Sequence, residues 1–174
     1  MTHAARLIED LQRPWRHSEH LDARGLVLDE PLTLDGMEIR GFDLSNAHLR
    51  RGMSARTATF LGLAWLEDTT IDGSCDLTGA QFRIDLRGEG LVTDSLLLDG
   101  VQLLGILDLA WIRARRISLT GAVVMANLTL ADAEVAEDID LSETEVMGGL
   151  WADGARLGRV QTDGTEIAGR VRGV

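Results

Sequence analysis

The stretch Leu98-Asp-Gly-Val101-Gln-Leu103 decides the fold, because phrases of the same form return along most of the chain. The copies begin at positions 34, 55, 77, 98, 119, 141 and 162, and the copy at position 55 is degenerate. The intervals between them are 21, 22, 21, 21, 22 and 21 residues. A fixed interval of this length is typical of stacked-repeat proteins, in which each repeat buries its apolar edge on its neighbours.

Within each repeat the apolar residues form pairs two positions apart, which is the spacing of neighbours on one face of a β-strand. Around Leu98 the pairs are Leu96/Leu98, Val101/Leu103, Leu107/Leu109, Ile112/Ala114 and Ile117/Leu119. Their second members advance by five or six residues, so four short sides complete one coil. The next coil has 22 residues, and the pattern places its extra residue between Val135 and Ile139.

The pairs predict an all-β protein built as a quadrilateral β-helix of about seven coils over residues 26–174. A three-sided right-handed β-helix, with sides of seven residues, is the alternative.

Several segments resemble units of the pentapeptide-repeat family, which read small-polar-Leu-x-x. These segments are Ala47-His-Leu49, Ala80-Gln-Phe82, Ala126-Asn-Leu128 and Ala155-Arg-Leu157. The resemblance covers about residues 26–174, although the coils here have 21 or 22 residues where the family coil has 20. It implies a right-handed, four-sided β-helix.

Residues 1–25 precede the repeats, and we expect them to form a helix and a linker that cap the solenoid. Thr2 is placed to cap a helix over His3–Arg13, and Pro14 is placed to end it. One stripe of that helix is apolar, and its members are Ala4, Leu7, Ile8 and Leu11. A short amphipathic helix suits the open end of a β-helix, where strand edges are unpaired.

Composition narrows the possible roles. The formal net charge is −11, and all 17 basic residues apart from histidine are arginine. Such a field disfavours direct binding to nucleic acid and to anionic membranes. The single cysteine cannot form an internal disulfide, and no stretch approaches the about 20 apolar residues of a membrane span. We therefore expect a cytoplasmic protein without a cofactor.

Three groups of residues suggest chemistry, and each has a simpler structural explanation. Cys75 shares an inward column with Leu96 and Ile117, so we expect a buried, unreactive thiol. His17 and His20 lack the further ligands of a zinc site, so we expect no metal there. One coil carries six acids, at positions 134, 137, 138, 140, 143 and 145. The coil before it has arginines at positions 113, 115 and 116, and the coil after it has arginines at 156 and 159. We expect these charges to pair between coils.

The tryptophans suggest an interaction surface. Trp65 and Trp151 each lie between two inward residues of the same side, so both should point outward, four coils or about 19 Å apart. Beside them we expect a corner column of Leu61, Leu104, Met125 and Met147, with Arg83 as its one charge. Exposed apolar strips of this kind usually mark interfaces, so these residues are the predicted partner-binding set.

We therefore expect a non-enzymatic binding or scaffold protein that self-associates or binds a protein partner. Two alternatives belong to other classes. Some proteins of the pentapeptide-repeat family are acidic rods that imitate DNA and bind type II topoisomerases such as gyrase, so the resemblance implies this role as one alternative. The other is a β-helix enzyme acting on polysaccharide, for which Glu134 near Arg113 is the only candidate group.

Overall fold

The computed structural model describes residues 3–173 and shows a parallel β-solenoid of about seven coils preceded by one short helix. The predicted fold class is confirmed. The helix α1 spans His3–Leu11, two residues shorter than predicted, and its predicted cap Thr2 lies outside the described residues.

The strands follow in chain order. They are β1 (Leu21–Asp22), β2 (Val27–Leu28), β3 (Leu32–Thr33), β4 (Glu38–Ile39), β5 (Phe42–Asp43), β6 (His48–Leu49), β7 (Met53–Ser54), β8 (Thr59–Phe60), β9 (Ala64–Trp65), β10 (Thr70–Asp76), β11 (Gln81–Phe82), β12 (Leu86–Arg87), β13 (Val92–Leu97), β14 (Gln102–Leu103), β15 (Leu107–Asp108), β16 (Arg113–Ser118), β17 (Val123–Val124), β18 (Leu128–Thr129), β19 (Glu134–Asp140), β20 (Glu145–Val146), β21 (Leu150–Trp151), β22 (Arg159–Gln161), β23 (Glu166–Ile167) and β24 (Val171–Arg172).

The four predicted sides appear as separate strands at the start of the solenoid, where β2, β3, β4 and β5 form one coil. From the third coil two sides join into one longer strand, since β6 and β7 both pair with β10. The solenoid therefore has three parallel sheets: one from β1 to β24, one from β4 to β23, and one centred on β10, β13, β16 and β19.

The predicted position of the extra residue is confirmed. Ala114 pairs with Val135, whereas Ile117 pairs with Ile139, and the register shifts between them. The paired residues are 21 apart before the shift and 22 apart after it.

Two corners of each coil carry a residue with positive φ, as at Gly100 (64°) and Trp111 (58°). The N–H of each of these two residues donates to a carbonyl of the next coil, at 2.9 Å in both cases. Glycine adopts such a φ without the Cβ penalty, which explains the Asp-Gly pair of the repeated phrase.

Inward side chains of successive coils stack into columns and form the core. Phe60 and Phe82 are neighbours in one column, with parallel rings whose centroids are 4.3 Å apart. The buried Thr69 and Thr144 donate their hydroxyl groups to the carbonyls of Leu44 and Leu119, at 2.7 and 2.8 Å. These bonds satisfy polar groups that would otherwise be costly in an apolar interior.

Helix α1 packs on the first coil. Leu7 and Leu11 are buried in the same hydrophobic core as the coils. The Leu11 carbonyl accepts a hydrogen bond from the Arg40 N–H at 3.0 Å, and the Ala4 N–H donates to the Glu30 carboxylate at 3.0 Å. The helix thus covers apolar side chains that no preceding coil covers.

Candidate interaction surface

Three large apolar side chains stand out from one corner of three successive coils. Leu104, Met125 and Met147 are 54%, 49% and 51% exposed. Their backbones stack from coil to coil, since the Met125 N–H donates to the Leu103 carbonyl and the Met147 N–H to the Val124 carbonyl, both at 2.9 Å. The structure therefore brings these three predicted residues into one column.

The same column changes character toward the N-terminal coils. Arg83 is exposed and Leu61 is half-buried. The strongly exposed apolar part of the column is thus formed by Leu104, Met125 and Met147.

The residues beside the column have small side chains or none. The residues that follow its three members are Gly105, Ala126 and Gly148. A Cβ on Gly148 would lie 2.6 Å from the Ala126 carbonyl, so this position tolerates only glycine without a shift of the backbone. Small residues here leave the methionine side chains standing above their surroundings.

Trp151 extends the apolar surface around the corner. Its half-buried indole lies over Gly149, where a Cβ would be 2.8 Å from the ring. The Arg172 guanidinium lies 5.9 Å from the ring centroid, a cation–π distance. We call Leu104, Met125, Met147 and Trp151 the apolar strip.

Trp65 occupies the same outward column as Trp151, as predicted, because successive pairings connect them through Arg87, Asp108 and Thr129. The linker covers Trp65, however. The His20 ring meets the indole edge-on, with centroids 5.2 Å apart.

Trp15 holds the linker in place. A Cβ on Gly62 would lie 2.8 Å from the Trp15 Nε1 atom and 2.6 Å from the Gly41 Cα atom. The linker therefore packs into a cleft that two glycines leave open, and a small concavity of about 240 Å³ remains between Trp15, His20 and Trp65.

The predicted pairing of charges between coils is present on another face. Arg116 donates from Nε to the Asp138 carboxylate at 2.8 Å, and this hydrogen bond, with the charge of Asp138, raises the pKa of Arg116. Arg156 pairs with Glu134, and Arg115 lies 3.5 Å from Glu137. The predicted pairing therefore holds for Glu134, Glu137 and Asp138, whereas Asp140 accepts a hydrogen bond from the Ser142 N–H instead.

Cys75 and His17 were further candidates for chemistry, and the structure places both. Cys75 is fully buried, and burial raises the pKa of its thiol to about 12, as expected for an unreactive core residue. His17 lies edge-on to Trp15, with centroids 6.0 Å apart. Over residues 3–173, no group of three or more His, Cys, Asp or Glu side chains is placed to hold a metal ion.

One exposed aromatic residue was missed by the sequence reasoning. Trp111 is 57% exposed and adopts a φ of 58° at a corner of its coil. Alignment of the turn positions, rather than of the apolar pairs, would have found it, because Gly90 and Asp132 hold the equivalent corners of the adjacent coils.

Within the described part of the chain, no helix is long and apolar enough to cross a bilayer. A comparison of the sequence with models of known protein families gives no match. A comparison with curated protein sequences gives no significant match either.

Proposed function

We propose that this protein is a non-enzymatic β-solenoid that self-associates through the apolar strip. The observation that carries the proposal is the column of Leu104, Met125 and Met147, each about half exposed on successive coils. Contiguous apolar side chains of this size are costly to leave in water, and methionine adapts readily to a partner surface.

The spacing of the column suits a two-fold symmetric pair. Met125 lies midway between Leu104 and Met147, one coil or about 4.8 Å from each. A two-fold axis through Met125 places Leu104 of one copy against Met147 of the second copy. Such an interface is self-complementary, which is the commonest arrangement in homodimers.

The same rotation also fixes which residues meet at the ends of the column. The rotation that pairs Leu104 with Met147 brings Arg83 of one copy to the row of Ala168 of the second copy. Glu166 lies two residues before Ala168, about 7 Å along the strand and within reach of an extended arginine. The exposed Arg170 lies equally far on the other side of Ala168, so charge at the ends of the pair neither favours nor opposes this arrangement.

The contact is small, and this sets the expected affinity. The column spans two coil spacings, about 10 Å, and Trp151 adds part of one indole. An interface of this extent falls at the low end of specific contacts, so we expect a dimer that dissociates in the micromolar range.

Analytical ultracentrifugation over a range of protein concentrations tests the proposal. Met125→Arg places two like charges against each other at the two-fold axis, and we expect it to leave the protein monomeric at about 100 µM. Val27→Arg is the matched control, because Val27 is also about half exposed but lies on another side of the solenoid. A wild-type protein that stays monomeric at that concentration, or a Met125→Arg variant that still dimerises, contradicts the proposal.

A further inference from the structure

Trp111 is the exception in one corner column of the solenoid. Every other member of that column is Gly, Asn or Asp, the residue types that tolerate positive φ best: Gly25, Asn46, Asp68, Gly90, Asp132 and Gly154. A bulky side chain in this conformation is sterically unfavourable, because its Cβ comes close to the following carbonyl oxygen. Since Trp111 is also 57% exposed, burial of its indole does not offset that cost.

The indole borders a concavity with a volume of about 490 Å³, which is lined by Asp68, Glu89, Val92 and Arg113. Val92 is 38% exposed and supplies an apolar wall. The Asp68 carboxylate lies against Gly90, the residue between Asp68 and Trp111 in the corner column. The absence of a Cβ at Gly90 therefore lets this carboxylate lean toward the indole.

Negative charge exceeds positive charge at this surface, because the carboxylates of Asp68 and Glu89 share it with one guanidinium, that of Arg113. Among the described residues, Asp68 and Glu89 take part in none of the ion pairs, unlike the acids of the Arg116 face. Just beyond the surface, burial and the nearby charge of Glu89 raise the pKa of Glu67. A cation entering here finds two carboxylates that make no ion pair with any described residue, with the single guanidinium of Arg113 beside them.

We propose that the Trp111 corner, formed by Asp68, Glu89, Val92, Trp111 and Arg113, binds a cationic side chain from an arginine- or lysine-containing peptide segment of a partner protein. The cation lies between the face of the indole and the two carboxylates, and its methylene stem packs on Val92. Arg113 offers N–H donors to the peptide carbonyls. The net charge of −11 accelerates the encounter with a basic segment.

This site is separate from the apolar strip. The sheet from β1 to β24, which carries Trp65 and Trp151, lies between the corner of Trp111 and the corner of Leu104, Met125 and Met147. Peptide binding and self-association can therefore succeed or fail independently.

A peptide titration followed by NMR tests the proposal. The probe is acetyl-GRGRG-amide, and acetyl-GQGQG-amide is the uncharged control. The indole N–H signal of Trp111 is assigned by its loss in the Trp111→Gly variant. We expect this signal to shift in a saturable way when the arginine peptide is added, and not when the glutamine peptide is added. The signals of Trp15, Trp65 and Trp151 stay in place. Equal movement with the glutamine peptide overturns the proposal.

The affinities of protein variants for a fluorescently labelled form of the arginine peptide distinguish binding at this site from non-specific electrostatic attraction. Trp111→Gly, which keeps a residue suited to this φ, should weaken binding by about fivefold or more. Asp68→Asn combined with Glu89→Gln should weaken it by about tenfold or more, because both partners of the cation become neutral.

The matched control, Glu38→Gln combined with Asp163→Asn, removes the same charge from exposed positions elsewhere and should change affinity by less than about twofold. A control pair that weakens binding as much as the Asp68/Glu89 pair shows non-specific attraction and overturns the proposal.

Discussion

Side chains at equivalent positions of successive coils occupy nearly the same backbone geometry, so a single residue can be compared with its column. Gly100 fits its corner because glycine adopts a φ of 64° at no steric cost, and the Asp-Gly phrase made this turn predictable. Trp111 was not predictable in the same way, since apolar pairing gives no weight to turn positions. The column comparison identifies it as a residue whose conformation and exposure both oppose stability.

Glu67 gives a prediction at this scale. Burial and the charge of Glu89 raise its pKa, so the folded state disfavours the ionised carboxyl. The cost is present above the folded pKa and is relieved as the pH falls below it. We expect Glu67→Gln to raise the free energy of unfolding at pH 7, by less than about 1 kcal/mol because Glu67 is partly solvated.

Urea denaturation of both proteins at several pH values checks this expectation. The difference should disappear below about pH 4, where the wild-type carboxyl is protonated. Glu145→Gln, at an exposed position, serves as the control. A stabilisation that is the same at pH 7 and at pH 3 would show that charge is not its cause.

At the scale of strands, the periodic pairs predicted the four sides and the site of the extra residue. They did not predict that two sides join into β10, β13, β16 and β19. The pairs mark inward residues only, whereas the joining depends on the residues between them, such as Arg115 and Arg116 in β16. Both point outward between Ala114 and Ile117, so the strand bends without ending.

These two arginines give a matched pair of substitutions. Asp138 is 7% exposed and takes a 2.8 Å hydrogen bond from Arg116, whereas Arg115 contributes only an exposed pair with Glu137 at 3.5 Å. We expect Arg116→Met to lower the free energy of unfolding by more than Arg115→Met does, because it removes the closest partner of a buried carboxylate. Arg115→Met should cost less than about 0.5 kcal/mol. Equal losses in chemical denaturation would mean that Asp138 gains little from Arg116.

At the scale of the whole molecule, the sequence predicted a helix before the solenoid but not the path of the linker. Residues 12–20 have no periodic pattern, so nothing in them shows that Trp15 packs on Gly62 or that His20 covers Trp65. The predicted partner-binding set is therefore divided by the linker. Its C-terminal part remains open, while Trp65 is half covered.

The helix also tests how stability spreads along a solenoid. Leu11 is 1% exposed, so Leu11→Ala should lower the free energy of unfolding by about 2–5 kcal/mol. Because each coil contacts only its neighbours, hydrogen exchange should accelerate in β4 and β5 and remain unchanged in β19 and β20. Gln12→Ala, on the exposed side of the helix end, is the control. Uniform acceleration along the chain would indicate that the solenoid opens as one unit.

The corners of the coil differ in their tolerance of length. At the two corners represented by Gly100 and Trp111, the step between inward residues is three in every coil, as from Leu98 to Val101 and from Leu109 to Ile112. The bend inside the long strands takes three residues from Ala114 to Ile117 but four from Val135 to Ile139. The corner beside the apolar strip also varies, with three residues from Ile39 to Phe42 and four from Phe60 to Ala64. Single-residue insertions can thus accumulate at the bend and at this corner in the course of evolution, while the two corners of constant length keep every later coil in phase.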